Sequence, residues 1–145
     1  MNTTDKFKAE QYLAAGGALS HFMSINQRRM LEVLICGEEG AEFVSIVIKL
    51  KSHIDLMPKT GESEGQGEAA QIQLHYFIGG YDAWILEKDV GSPNDDVVGV
   101  QTQAFGWASF GGKGDAEMGY VSIQEAIENG AELDLYWTPK TWAAI

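Results

Sequence analysis

Asp82, Glu87, Lys88 and Asp89 are the nearest approach in this chain to a catalytic set. Metal-dependent nucleases hold a divalent ion and a water with an acid on one strand and an acid-x-Lys on the next. Here Glu87 and Lys88 are adjacent, so on a strand their side chains point to opposite faces and cannot converge on one ion. Glu87 and Asp89 would share a face, but paired carboxylates on an outer strand are ordinarily solvated. The three histidines, His21, His53 and His75, lie far apart, with no H-E-x-x-H and no Cys/His cluster. His75 beside Tyr76 reads as a structural histidine of a strand. Cys36 is the sole cysteine and sits in an apolar stretch without the electropositive setting that activates a thiolate. There is no G-x-S-x-G elbow and no S-x-x-K serine. Phe110–Asp115 (FGGKGD) lacks the spacing of a phosphate-binding glycine loop. Gly91–Asp96 (GSPNDD) lacks the alternating acids and closing glutamate of a calcium loop, and reads as a turn. No catalytic residue, metal or cofactor is expected from these patterns.

The elements that would position such residues centre on Gln71–Asp89 (QIQLHYFIGGYDAWILEKD), where two β-rich runs flank Gly79-Gly80. That is a hairpin signal, because glycine supplies the positive φ of a tight turn. Before it, Thr3 or Thr4 caps a helix with Phe7, Tyr12 and Leu13 as its buried stripe, stopped by Gly16-Gly17. Ser24-Ile25-Asn26-Gln27 is a capping box for a helix to about Ile35, burying Met30, Leu31, Leu34 and Ile35. Residues 42–57 fit both strand alternation and a longer helical spacing through Phe43, Val47, Leu50, Ile54 and Met57. The longer pattern predicts a helix, ended by Pro58. Lys59–Ala70 (KTGESEGQGEAA) has no large apolar residue and reads as a mobile connection rather than a lid. After the hairpin, Val98–Ser109 and Glu117–Val121 are predicted strands. Ser122–Glu125 is a second capping box for a short helix to Asn129, and Glu132–Trp137 alternates as a last strand. Thr138–Thr141 then turns Trp142 and Ile145 over the core. Short turns favour antiparallel pairing, so the expected class is α+β: N-terminal helices packed with or beside an antiparallel sheet of about five strands carrying one short helix. The expected division is a helical region 1–57, a linker 58–70 and a sheet domain 71–145, within what 145 residues allow as one compact domain.

Charge is distributed unevenly. Residues 1–57 have seven acids against six bases, a net of −1, whereas residues 58–145 have fourteen acids against four bases, a net of −10. An acidic surface of this kind repels nucleic-acid phosphates and attracts basic partners, which argues against direct DNA or RNA binding. Its alternative is a solvated face kept for solubility. A lone cysteine, no charged-then-apolar leader layout and no run of about 20 apolar residues lead to the expectation of a soluble cytoplasmic protein. Eleven of the fifteen aromatic residues fall in the second part, and any left exposed among acids would form a protein-binding face.

The stretches LICGEEGAEFV, DLMPKTGE, LHYFIGGYDAWILEKD, QAFGWA, MGYVSI and ELDLYWTPKT resemble a family of uncharacterised small proteins encoded on bacterial plasmids, prophages and integrative elements. The resemblance covers residues 31–142 and implies a domain of unknown function from mobile DNA, working inside a bacterial host cell. It transfers no catalytic residue. With the charge asymmetry, it implies a protein that binds and inhibits or modulates a defence or nucleic-acid-handling complex. This would be an anti-CRISPR or antirestriction type, mimicking DNA with its carboxylates, its partner a basic surface of a host protein or ribonucleoprotein. Glu87, Asp89, Asp95, Asp96, Asp115 and Glu117 are the candidate partner-binding acids, expected along one edge of the sheet. Two other readings stand beside it: a metal-dependent enzyme on nucleic acid or nucleotide using His75, Asp82 and Glu87, and a self-assembling element-maintenance protein using an apolar patch of residues 1–57.

Overall fold

Caps and breaks divide the first 57 residues into three helices, α1 (Thr3–Leu13), α2 (Ile25–Ile35) and α3 (Gly40–Leu56). The rest of the chain forms strands β1 (Gln71–Ile72), β2 (Leu74–Ile78), β3 (Tyr81–Glu87), β4 (Ala104–Ser109) and β5 (Glu117–Val121). These are followed by helix α4 (Ile123–Glu128) and strands β6 (Glu132–Leu133) and β7 (Lys140–Thr141). This computed structural model describes residues 3–63, 65–90 and 99–145. The expected turn at 91–96 lies outside them.

The class is α+β. Ser24 Oγ accepts from the Gln27 N–H at 3.1 Å to start α2, and Ser122 Oγ accepts from the Glu125 N–H at 3.1 Å to start α4. The ambiguous stretch 42–57 is helical to Leu56, as the longer spacing required; Met57 is the extended C-cap and Pro58 follows it. Gly40 lets α2 and α3 meet, since a Cβ there would stand 2.1 Å from the Ile35 carbonyl oxygen.

Five strands form one antiparallel sheet in the order β5-β4-β3-β2-β6, and β1 pairs with β7 beside it. Ile78 lies opposite Tyr81, leaving Gly79-Gly80 as a two-residue turn. Gly79 alone of the two takes a positive φ, 52°, as the first central residue of a type II′ turn does. One sheet face (Leu74, Tyr76, Ala83, Ile85, Ala104, Val121) packs on Leu13, Phe22, Leu31, Val47 and Leu50 in a single buried cluster shared with the helices. The other face (Trp84, Leu86, Trp107) is roofed by Ala70, Ile72 and Trp142, with Phe105 and Trp137 at its margin. Trp142 stacks parallel on Trp107 at 4.3 Å and meets Trp84 edge-on at 5.1 Å. The chain end thus closes the core as the aromatic pattern of its last residues predicted.

Several side chains depart from expectation. Phe7 is 59% exposed, and Ala9 takes the buried place in α1. Met30 faces outward while Leu31 and Ile35 are buried. Of the described residues 99–109 in the predicted strand 98–109, Ala104–Ser109 are regular, and Gln101 is drawn inward to bond Asp89 and Gly99. The last predicted strand stops at Leu133: the Asp134 carboxylate accepts the Tyr136 N–H at 3.0 Å, which bends the chain out of the ladder.

Candidate functional site

The four candidate acids among the described residues, Glu87, Asp89, Asp115 and Glu117, do not share an edge. Glu87 is 3% exposed, which corrects its assignment to a partner-facing surface. A register shift between Ile85 and Glu87 sets Glu87 opposite Phe105 beside Leu86. There its carboxylate accepts the Gly61 and Ser63 N–H groups, both at 2.8 Å, and the Ser63 hydroxyl. Glu87 therefore holds down the loop read from sequence as a mobile connection. Lys88, its neighbour, turns away and donates to the Ile54 carbonyl of α3 at 2.8 Å, so the two side chains diverge as strand geometry requires. Burial lowers the Lys88 pKa, and Asp55 opposes that shift.

Asp89 is committed to local structure as well. Its carboxylate accepts the Gln103 N–H at 3.1 Å and the Thr102 hydroxyl at 3.3 Å, and its backbone is bracketed by the Gln101 amide. Asp95 and Asp96 lie outside the described residues. Asp115 and Glu117 are exposed, and Glu117 opens β5 opposite Ala108. Because β5 ends opposite Ala104 and Glu87 stands opposite Phe105, Glu117 and Glu87 occupy opposite ends of the sheet.

His75, Asp82 and Glu87 are likewise not brought together. His75 Nε2 lies 2.8 Å from Asp82 Oδ1, while Nδ1 lies 3.1 Å from Asp134 Oδ2. The ring is sandwiched near Trp84 and Trp137, at 5.6 and 5.2 Å between centroids. Glu87 is five residues along β3 from Asp82, about 16 Å away at the usual strand rise. Among the described residues, no group of three His, Cys, Asp or Glu side chains is placed to hold a metal ion. The Asp82 partnership was readable: a two-residue turn at Gly79-Gly80 makes residues 75 and 82 diagonal neighbours on one face. Asp134 had no such signal.

What the structure does gather lies at β5. Phe110 is 84% exposed, Tyr120 68% and Met118 45%, beside the exposed acids Asp115 and Glu117. Three clefts meet at Tyr120. A cleft of about 350 Å³ runs between the sheet and α4, lined by Ile78, Tyr81, Ala108, Val121 and Ala126 with Glu125 at its margin. One of about 510 Å³ lies under the loop held by Glu87, lined by Leu86, Phe105 and Met118. A third, about 680 Å³, follows Phe110, Asp115, Glu117 and Gly119. Burial, and secondarily Glu125, raises the Tyr81 pKa, keeping its hydroxyl a neutral donor beside the first cleft.

No family model, curated protein or solved structure matches the chain. The β5 surface therefore rests on its own chemistry. No helix among the described residues is long and apolar enough to cross a membrane.

Proposed function

We propose that the protein acts by binding: its β5 end, apolar at the centre and acidic around it, occupies a basic surface of a bacterial defence or nucleic-acid-handling complex and inhibits or modulates it. The observation that supports this reading is the exposure of Phe110, Met118 and Tyr120 together beside Asp115 and Glu117, in a region whose net charge is −10. Exposed aromatics ringed by charge are the composition of an interface centre and rim. The resemblance to proteins of mobile elements supplies the setting. Of the six acids, Asp115 and Glu117 are the two that this reading retains among the described residues.

The test is capture of partners from a bacterial host lysate by tagged protein at low and high salt, followed by the nuclease activity of the captured complex with added protein. The expected result is a nucleic-acid-handling complex held at low salt, released at high salt and slowed by the protein, with Asp115→Asn/Glu117→Gln weakening capture. Capture that is indifferent to salt and to both substitutions, or a captured complex with unaltered activity, overturns the reading.

A further inference from the structure

The clefts at β5 lie on both sides of an open sheet edge. Among the described residues β4 is the sole strand neighbour of β5, and Glu117, Met118 and Tyr120 are exposed along it. A Cβ placed at Gly119 would meet nothing within 4 Å, so the sheet face is open beside the middle of β5. A strand laid beside β5 would point its side chains alternately to the two faces of the sheet. On one face they would meet the cleft of Ile78, Tyr81, Val121 and Ala126, and on the other the cleft of Leu86, Phe105 and Met118. Main-chain bonds from an open edge and pockets for alternate side chains are the two parts of recognition by strand addition.

We infer that β5 is a docking edge for an extended, lysine- or arginine-bearing segment of another protein, which joins the sheet as a sixth strand. This rests on the proposed binding function and specifies its mode. Charge complementarity selects the occupant. The exposed acids Asp115, Glu117 and Glu125 line the clefts, and among the described residues no base does. Lys113, the nearest base in sequence, is drawn away to the Ile145 carbonyl at 3.0 Å and over the Trp142 ring. A second copy is disfavoured by charge, because each chain brings a net −11.

The experiment uses the full chain, isotope-labelled, titrated with a short synthetic peptide of alternating lysine and valine. A second titration uses the same peptide N-methylated throughout, which keeps the charge but cannot donate main-chain bonds. The expected result is amide shifts and slowed hydrogen exchange centred on Glu117–Val121, with the methylated peptide about tenfold weaker or worse. A Tyr120→Lys variant should lose the response while keeping its amide dispersion. Equal binding of the two peptides means that charge alone is at work and overturns strand addition. So do shifts centred away from β5, no binding up to about 1 mM, or concentration-dependent dimerisation through β5 without peptide. If peptide adds to β5 but no host complex is captured, the binding function fails and the docking edge stands. If a complex is captured and its footprint avoids Glu117–Val121, the edge fails and the function stands.

Discussion

At the β6 edge of the sheet the Gln27 side chain stands where another strand would. Its Nε2 donates to the Leu133 carbonyl at 2.8 Å, and its Oε1 accepts the Leu133 N–H at 3.0 Å. At the β5 edge the described residues place no such group. Leu133 is 1% exposed, so water cannot reach its backbone and the protein must supply the partner. Met118 and Tyr120 are open to water, which satisfies the strand and can be displaced by an incoming one. The chain finishes the edge it buries and leaves the other bare but acidic, a protection against pairing with itself. Gln101 repeats the Gln27 device at Asp89, where an amide again replaces a missing strand neighbour.

The contrast can be broken first at Gln27. Gln27→Leu strands both the N–H and the carbonyl of Leu133, and urea unfolding should show a loss of about 2–5 kcal/mol. A loss below about 1 kcal/mol would mean that the edge is not closed by this side chain. Glu87→Gln removes a charge-assisted acceptor from two loop amides and should cost about 1–3 kcal/mol, with faster hydrogen exchange at Gly61 and Ser63. Because Glu87 is buried, this neutralisation should leave partner capture unchanged, unlike Asp115→Asn/Glu117→Gln.

The helical layer supplies a smaller effect with a definite sign. His53 is 7% exposed, its Nδ1 has no hydrogen-bond partner among the described residues, and burial, then Lys49, lowers its pKa from 6.5. Above pH 6.5 it is neutral in both folded and unfolded chains. As pH falls through 6.5 the unfolded chain binds the proton first, so stability declines until the folded-state value is passed. His53→Leu should flatten that part of a pH–stability profile, and an unchanged slope would assign it to other groups. The smallest expected effect is at the open edge, where Tyr120→Ala should shift folding stability by no more than about 0.5 kcal/mol while abolishing peptide binding. A larger loss would make Tyr120 a structural residue.

The elements with local causes were legible in the sequence. The two serine caps, Gly79-Gly80, Pro58 and the start of β5 act within a few residues of themselves, and each fell where its chemistry placed it. Long-range side chains were not legible. Gln27 meets Leu133 across 106 residues, and nothing in either stretch announces the pairing. Glu87 was misjudged because an acid in an alternating run reads as outward-facing. The register shift after Ile85 and the amides of a glycine-rich loop turned it inward. Phe110 opens the glycine-rich stretch 110–115 and Met118 and Tyr120 fall in the predicted strand 117–121, but which of these remain exposed depends on strand order, which the sequence leaves open.

All four tryptophans, Trp84, Trp107, Trp137 and Trp142, belong to the cluster on the sheet face away from the helices. Tryptophan fluorescence therefore reports one layer of the molecule only. The face-to-face rings of Trp107 and Trp142, 4.3 Å apart and 4° from parallel, should couple excitonically in circular dichroism. Release of residues 140–145 from the sheet would extinguish that signal while the helical band from α1 to α3, early in the chain, stayed intact. The protein thus has a native optical gauge of whether its chain end is seated, independent of whether its helices are folded.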